Sequence, residues 1–308
     1  MELNNPDNQA AESFSSGIFS FGVKHMLLAT FFFSLMNVFI KQLAHIPAME
    51  IVFFRCLISL FICIYGIRQA GYDWKGNNKT ELILRGVFGT IALFCFFLTI
   101  QNAPLASAVT LQYLSPIFTT LIAVFFLKEK VKFWQWLCYL SAFGGVLVIK
   151  GYDSRIQLLY LFTGIISGLF SALAYNMVRS LQGKEPTLVV VLHFQIVGVI
   201  AGFIITLFDW VLPTNIWDWI YLFAIGLTTH LGQVHLTKAL HYEKASNVSI
   251  LIYSGLIYAL FFGYFVFGET YSSEVFLGIL IVVISVIVSV LLKKKSEKPA
   301  MLDETTTG

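Results

Sequence analysis

The residues of this chain that could do chemistry stand almost singly inside long apolar runs. Arg55 closes Glu50-Ile-Val-Phe-Phe-Arg55, and Asn37 and Asn176 interrupt two other runs. His230, Gln233 and Thr237 follow the spacing i, i+3, i+7, which puts all three on one stripe of a helix, while His235 points elsewhere. Tyr113, Ser115, Tyr175, His193, Tyr253 and Ser254 complete the set, with Gln195 beside His193. Polar side chains in lipid-spanning segments are costly, so they gather on cavities and pathways. A guanidinium forks well onto carboxylates and other anions, so the expected chemistry is recognition of a small organic molecule, with Arg55 meeting an anionic or carboxylate group on it.

Each of these residues also has a packing explanation. Arg55 could pair with Glu50 or snorkel to the surface. The His230 stripe could be hydrogen-bonding glue between helices, and Tyr253 and Tyr258 ordinary packing aromatics. Glu129 and Glu269 fall at segment ends, where solvent or a loop ion pair would satisfy them. His230 and His235 share no helical face and have no acid beside them, so no metal site and no cofactor are expected. There is no Gly-x-x-x-x-Gly-Lys-Ser, no His-Glu-x-x-His and no Gly-x-Ser-x-Gly, which disfavours ATP-driven pumping and hydrolase chemistry. The expectation is a protein that is not an enzyme.

The elements that must position these residues are membrane helices. Of 308 residues, 57% are hydrophobic and 12% charged, against about 25% charged in an ordinary soluble domain. Lys and Arg form no aromatic-interleaved patch, so a nucleic-acid partner is not expected. Cys56, Cys63, Cys95 and Cys138 lie in apolar runs without a Cys-x-x-Cys pair and read as small core residues. The polar, Ser-rich first twenty residues lack the features of a cleaved signal peptide.

Ten apolar runs are long enough to span: Met26 to Leu43, Ile51 to Ile67, Leu82 to Ile100, Ala103 to Leu127, Phe133 to Ile149, Leu158 to Val178, Leu188 to Phe208, Ile216 to Ala239, Ala245 to Phe267 and Val275 to Leu292. With both termini cytoplasmic, sixteen of the twenty Lys and Arg fall in inside loops or tails, Arg85 among them, and Lys41, Lys150 and Arg155 fall outside. The expected partners are therefore a lipid bilayer and a small-molecule substrate, in a cell membrane. Gly144, Gly145, Gly278 and Ser285 would admit close contact between helices or between two copies in a homodimer.

The chain also repeats itself. Ala106-Ser107 matches Ala245-Ser246, Asn37 matches Asn176, Pro47 matches Pro186 and Ser115 matches Ser254 at an offset of 139 residues, while Gly86 matches Gly226 and Glu129 matches Glu269 at 140. Charge flanks the two copies in opposite order, and five spans per copy is an odd number, so the halves are expected to insert upside down relative to each other. This divides the chain into a cytoplasmic tail 1–21, a first repeat 22–150, a second repeat 151–292 and a tail 293–308.

Ala103-Pro-Leu-Ala-Ser-Ala, Leu114-Ser-Pro-Ile-Phe and Phe126-Leu-Lys-Glu-Lys resemble the fourth helix of EamA-type transporters of the drug/metabolite transporter superfamily, and the likeness extends over roughly residues 22 to 292. The resemblance implies an all-α integral membrane carrier of ten helices in two inverted five-helix repeats. Phe53-Phe-Arg-Cys and Leu84-Arg-Gly look most like members proposed to take up S-adenosylmethionine, with export of amino acids or toxic metabolites an equal rival. Family members commonly carry Pro in both fourth-helix positions; here Pro116 is matched by Gly255, which puts symmetric bending of the halves in doubt. The alternative class is a membrane scaffold or sensor that retains the carrier fold without transporting.

Overall fold

The computed structural model describes residues 21–127, 133–242 and 249–303, and every regular element among them is helical. In chain order these are α1 (Phe21–Gln42), α2 (Ala48–Ala70), α3 (Lys79–Asn102), α4 (Leu105–Gln112), α5 (Ser115–Leu127), α6 (Phe133–Tyr152), α7 (Leu158–Ser180), α8 (Thr187–Thr206), α9 (Ile216–Tyr242), a 3₁₀ turn (Ser249–Tyr253), α10 (Ser254–Phe267) and α11 (Ser273–Asp303). Five of them, α1, α2, α3, α7 and α8, are long and apolar enough to cross a membrane, and shorter apolar helices accompany them. The expected ten spans are accommodated, with α4 and α5 forming the fourth and the 3₁₀ turn and α10 the ninth. Glu129, Ala245 and Ser246 lie outside the described residues.

The helix limits follow from local chemistry. Pro47 and Pro186 immediately precede α2 and α8; proline's fixed φ suits the entry to a helix, where no N–H partner is lost. Gly71 ends α2 in the left-handed region, φ 67°, returning its N–H to Arg68. The outer surface is apolar: Phe61, Leu140, Leu147, Ile200, Ile257 and Phe265 are all exposed. That inversion of the soluble pattern suits solvation by lipid.

The most extensive packing pairs α1 with α9, α3 with α7, α2 with α8, and α6 with α11. Every one of these pairs joins the first half of the chain to the second. Gly86 of α3 admits Val197 of α8, and Gly226 of α9 admits Ile58 of α2, each at a distance where a Cβ would collide. Gly145 and Gly278 lie against each other, bringing α6 and α11 together within one chain, while Gly144 meets nothing within 4 Å.

Three expectations are corrected. Arg85 is not a loop residue, because α3 begins at Lys79 and carries Arg85 almost two turns inward. Of the two accounts given for Glu269, the ion pair holds and solvation does not: it is 8% exposed, pairs with Lys41, and accepts hydrogen bonds from the Leu105 N–H at 2.8 Å and the Tyr271 hydroxyl at 2.6 Å. It thereby neutralises the positive N-terminus of α4. The third concerns bending. The fourth span breaks at Tyr113-Leu114, where Pro116 cannot donate the N–H that would continue the helix. The ninth breaks at the matching place, between the 3₁₀ turn and Ser254, without a proline. Gly255 is needed there for space, since a Cβ would strike the Tyr113 hydroxyl.

Candidate functional site

The breaks in the fourth and ninth spans open onto a cavity of about 160 Å³ between α1, α2, α3, α4, α7, α8 and α9. Its polar lining is Thr30, Ser34, Asn37, Arg55, Arg85, Gln112, Tyr113, Ser171, Tyr175 and Gln233; Phe33, Met36, Leu93, Phe96 and Phe194 supply much of the apolar wall. Of the twelve candidates named from sequence, Asn37, Arg55, Tyr113, Tyr175 and Gln233 reach it.

Arg55 is 1% exposed. Its Nε donates to the Thr229 hydroxyl at 3.1 Å and its Nη1 to the Cys56 sulfur at 3.4 Å. Glu50 is not its partner: Oε2 of that carboxylate accepts the Val211 N–H at 3.0 Å and its buried Oε1 has no partner. Arg85 approaches from α3, 6% exposed, with its Nε lacking any partner. Both guanidiniums rest on one aromatic ring: the Cζ of Arg55 lies 5.2 Å, and that of Arg85 4.3 Å, from the centroid of Phe194. Gly89, one turn beyond Arg85, makes this possible, since a Cβ there would come within 2.8 Å of the Phe194 ring and collide with Arg85 itself.

Around this pair the neutral groups are held by hydrogen bonds. The Gln112 amide donates to Ser171 at 2.6 Å and accepts from Ser167 at 2.5 Å. Tyr113 donates to the Ile252 carbonyl at 2.8 Å. Ser34 donates to the Thr30 carbonyl at 2.7 Å, and the buried Oδ1 of Asn37 has no partner.

The other seven candidates lie outside the cavity lining. His230 turns to α2, where Nδ1 is 3.3 Å from the Ser59 hydroxyl and 3.6 Å from the Cys63 sulfur. Thr237 bonds back to the Gln233 carbonyl at 2.8 Å, and His193 to that of Val189 at 2.9 Å. The His230 stripe is thus divided, with only Gln233 reaching the cavity. Ser254 shares a hydrogen bond with Thr30 at 2.9 Å, one step behind the wall. The carbonyl of buried Ser115 accepts the Thr119 hydroxyl, Asn176 is half-buried beside Tyr175, and the Tyr253 ring meets Tyr113 edge-on at 5.0 Å.

Sequence reasoning missed Arg85, Phe194, Gln112 and Ser171. Arg85 was obscured by Lys79 and Glu81, which read as loop. The available signal was the Arg85–Gly89 spacing, a charge with a small residue one turn on.

A description of the EamA-like transporter family matches residues 20–151 and again 158–291. The pseudopaline exporter CntI of Pseudomonas aeruginosa is 32% identical over 86% of this chain and 94% of its own. The S-adenosylmethionine uptake transporter of Rickettsia prowazekii is 24% identical over 94% and 97% respectively. A solved crystal structure superposes with a TM-score of 0.61 over 89% of this chain and 99% of its own, at 16% identity, which is a likeness of fold.

Proposed function

Because this chain belongs to the EamA-like transporter family, whose named relatives are transporters and not enzymes, we propose that it is a secondary carrier moving a small organic metabolite across the cell membrane by alternating access. The substrate binds in the cavity where helices of both family-matched stretches meet, and the two halves, 22–150 and 151–292, rock about it. Both termini are cytoplasmic, as the distribution of Lys and Arg favours.

The inverted repeat is supported by the packing. Exchanging the first span with the sixth and the third with the eighth converts the α1–α9 contact into the α7–α3 contact, while α2–α8 and α6–α11 map onto themselves. The contacts of Gly86 with Val197 and of Gly226 with Ile58 exchange in the same way. Tyr113 hydrogen-bonds the carbonyl of the residue 139 positions later, its own counterpart. Arg55 likewise meets its counterpart, Phe194. Such self-pairing is what a pseudo-twofold axis through the site requires.

One observation carries the reading: a largely apolar cavity between the helices that holds two guanidiniums and is lined from both halves of the bundle. The test is counterflow in proteoliposomes with a broad panel of labelled organic acids, amino acids, nucleoside derivatives and sugars. Saturable exchange of at least one class is expected. A purified, folded protein that exchanges none of them would return the chain to the scaffold class.

A further inference from the structure

Building on the carrier reading, we propose that the substrate is an organic dianion, its two negative charges met by Arg55 and Arg85 together. The cavity lining contains these two guanidiniums and no Asp or Glu. Their Cζ atoms are at most about 10 Å apart, the limit set by their two distances to the Phe194 centroid, so each acts within the other's field in a poorly screening interior. Two like charges buried in an apolar bundle are strongly disfavoured unless a counter-charge reaches them.

No such charge is assigned to them within the described residues. Elsewhere among the described residues the half-buried Lys41 is paired with Glu269, and even the exposed Arg155 has Asp153. Glu50, on the same helix as Arg55, accepts the Val211 N–H through Oε2 and has no partner at Oε1, and it forms no ion pair with either arginine. Arg55 instead has a hydroxyl and a sulfur, and Arg85 has an aromatic ring and an unpartnered Nε.

The ring explains how the site can wait empty. An aromatic face attracts a guanidinium without a hydrogen bond, so the N–H groups at the guanidinium edge stay available to an oxyanion. Phe194 thus holds both cations in place while leaving much of their donor capacity for the cargo. Asn37 and Gln233, also on the lining, can meet its uncharged polar groups. S-adenosylmethionine, which carries a sulfonium and an ammonium against one carboxylate, would bring a net positive charge to this pair and be repelled.

The experiment is a charge ladder on purified wild-type protein, reading thermal shift and counterflow with butyrate, glutarate, glycerol 3-phosphate and S-adenosylmethionine beside the broad panel. A dianion should bind about tenfold or more tightly than butyrate, as a second charge-assisted pair allows, and S-adenosylmethionine should not compete. Preference for glutarate or for glycerol 3-phosphate would identify the second oxyanion as carboxylate or phosphate. Arg85→Gln should erase the advantage of the dianion over butyrate, and Arg85→Lys should keep part of it. Equal binding of butyrate and both dianions, or transport confined to neutral or cationic members of the panel, overturns the proposal while leaving the carrier reading intact. Absence of any exchange removes the carrier reading itself. Should Arg85→Gln fail to fold, the wild-type ladder still decides.

Discussion

Arg55 and His230 show how similar sequence signals part company once neighbours are in place. Arg55 is held at its Nε and Nη1 by groups that cannot neutralise it, so its charge remains available to the cavity. Arg55→Ala should lower counterflow of an anionic substrate about tenfold or more, since charge-assisted hydrogen bonds contribute roughly 1.5–3 kcal/mol, with the amount of folded protein in the membrane preserved; unchanged uptake at normal expression would contradict it. His230 spends its ring nitrogen on Ser59 and Cys63, joining α9 to α2. His230→Ala should cost about 1 kcal/mol of stability, seen as a lower melting temperature in detergent with substrate affinity intact. A third residue acts outside the bilayer. Burial pushes the Glu185 carboxyl up, but the N–H groups of Asn77 and Asn78 at 2.5 and 2.7 Å and the Asn78 amide at 3.0 Å hold it below its ordinary value. A depressed carboxylate stabilises fully above its unfolded pKa and loses that contribution as pH falls through the folded value. Stability measured from pH 7 to 3 should therefore decline in the acid limb less steeply in Glu185→Gln than in the parent, from a lower starting point.

The broken spans set the shape of the site. In the fourth, the break follows from Pro116; in the ninth it accompanies close packing, with Gly255 seated under the Tyr113 hydroxyl. Gly255→Ala should displace Tyr113 from the Ile252 carbonyl and destabilise by about 1–3 kcal/mol, the usual cost of overpacking, whereas Pro116→Ala, which restores an N–H and adds no bulk, should be milder. Comparing the melting temperatures of the two variants checks this. The apolar runs were readable as spans because length and hydropathy are local properties. What was hidden depends on partners. Arg85 stands within the run Leu82 to Ile100 but close to its inner end, so it was counted with the loop cations; only the packing of α8 against α3 puts it under Phe194. Which way Asn176, His193 or His230 faces is decided by neighbouring helices, about which periodicity within one helix is silent. Phe194 was one phenylalanine among thirty.

For the molecule as a whole, the strongest packing runs between the halves, so the proposed rocking would have to trade contacts at one end of the bundle for contacts at the other. At one end Glu269, on the connection between α10 and α11, ties Lys41 of α1 to the start of α4. Lys41→Cys with Glu269→Cys, bridged by a short bis-maleimide, should hold that end shut and stop counterflow, while either single variant treated alike should still transport. Continued exchange by the bridged protein would show that this end does not open. The pairing of Arg55 with Phe194 has one more consequence. Were the two halves identical, cargo lying on their shared axis would meet the same groups at both ends and could bind either way round. With a guanidinium on one side and a benzyl ring on the other, the site has a polarity, and cargo that does not tumble keeps one end leading throughout the crossing.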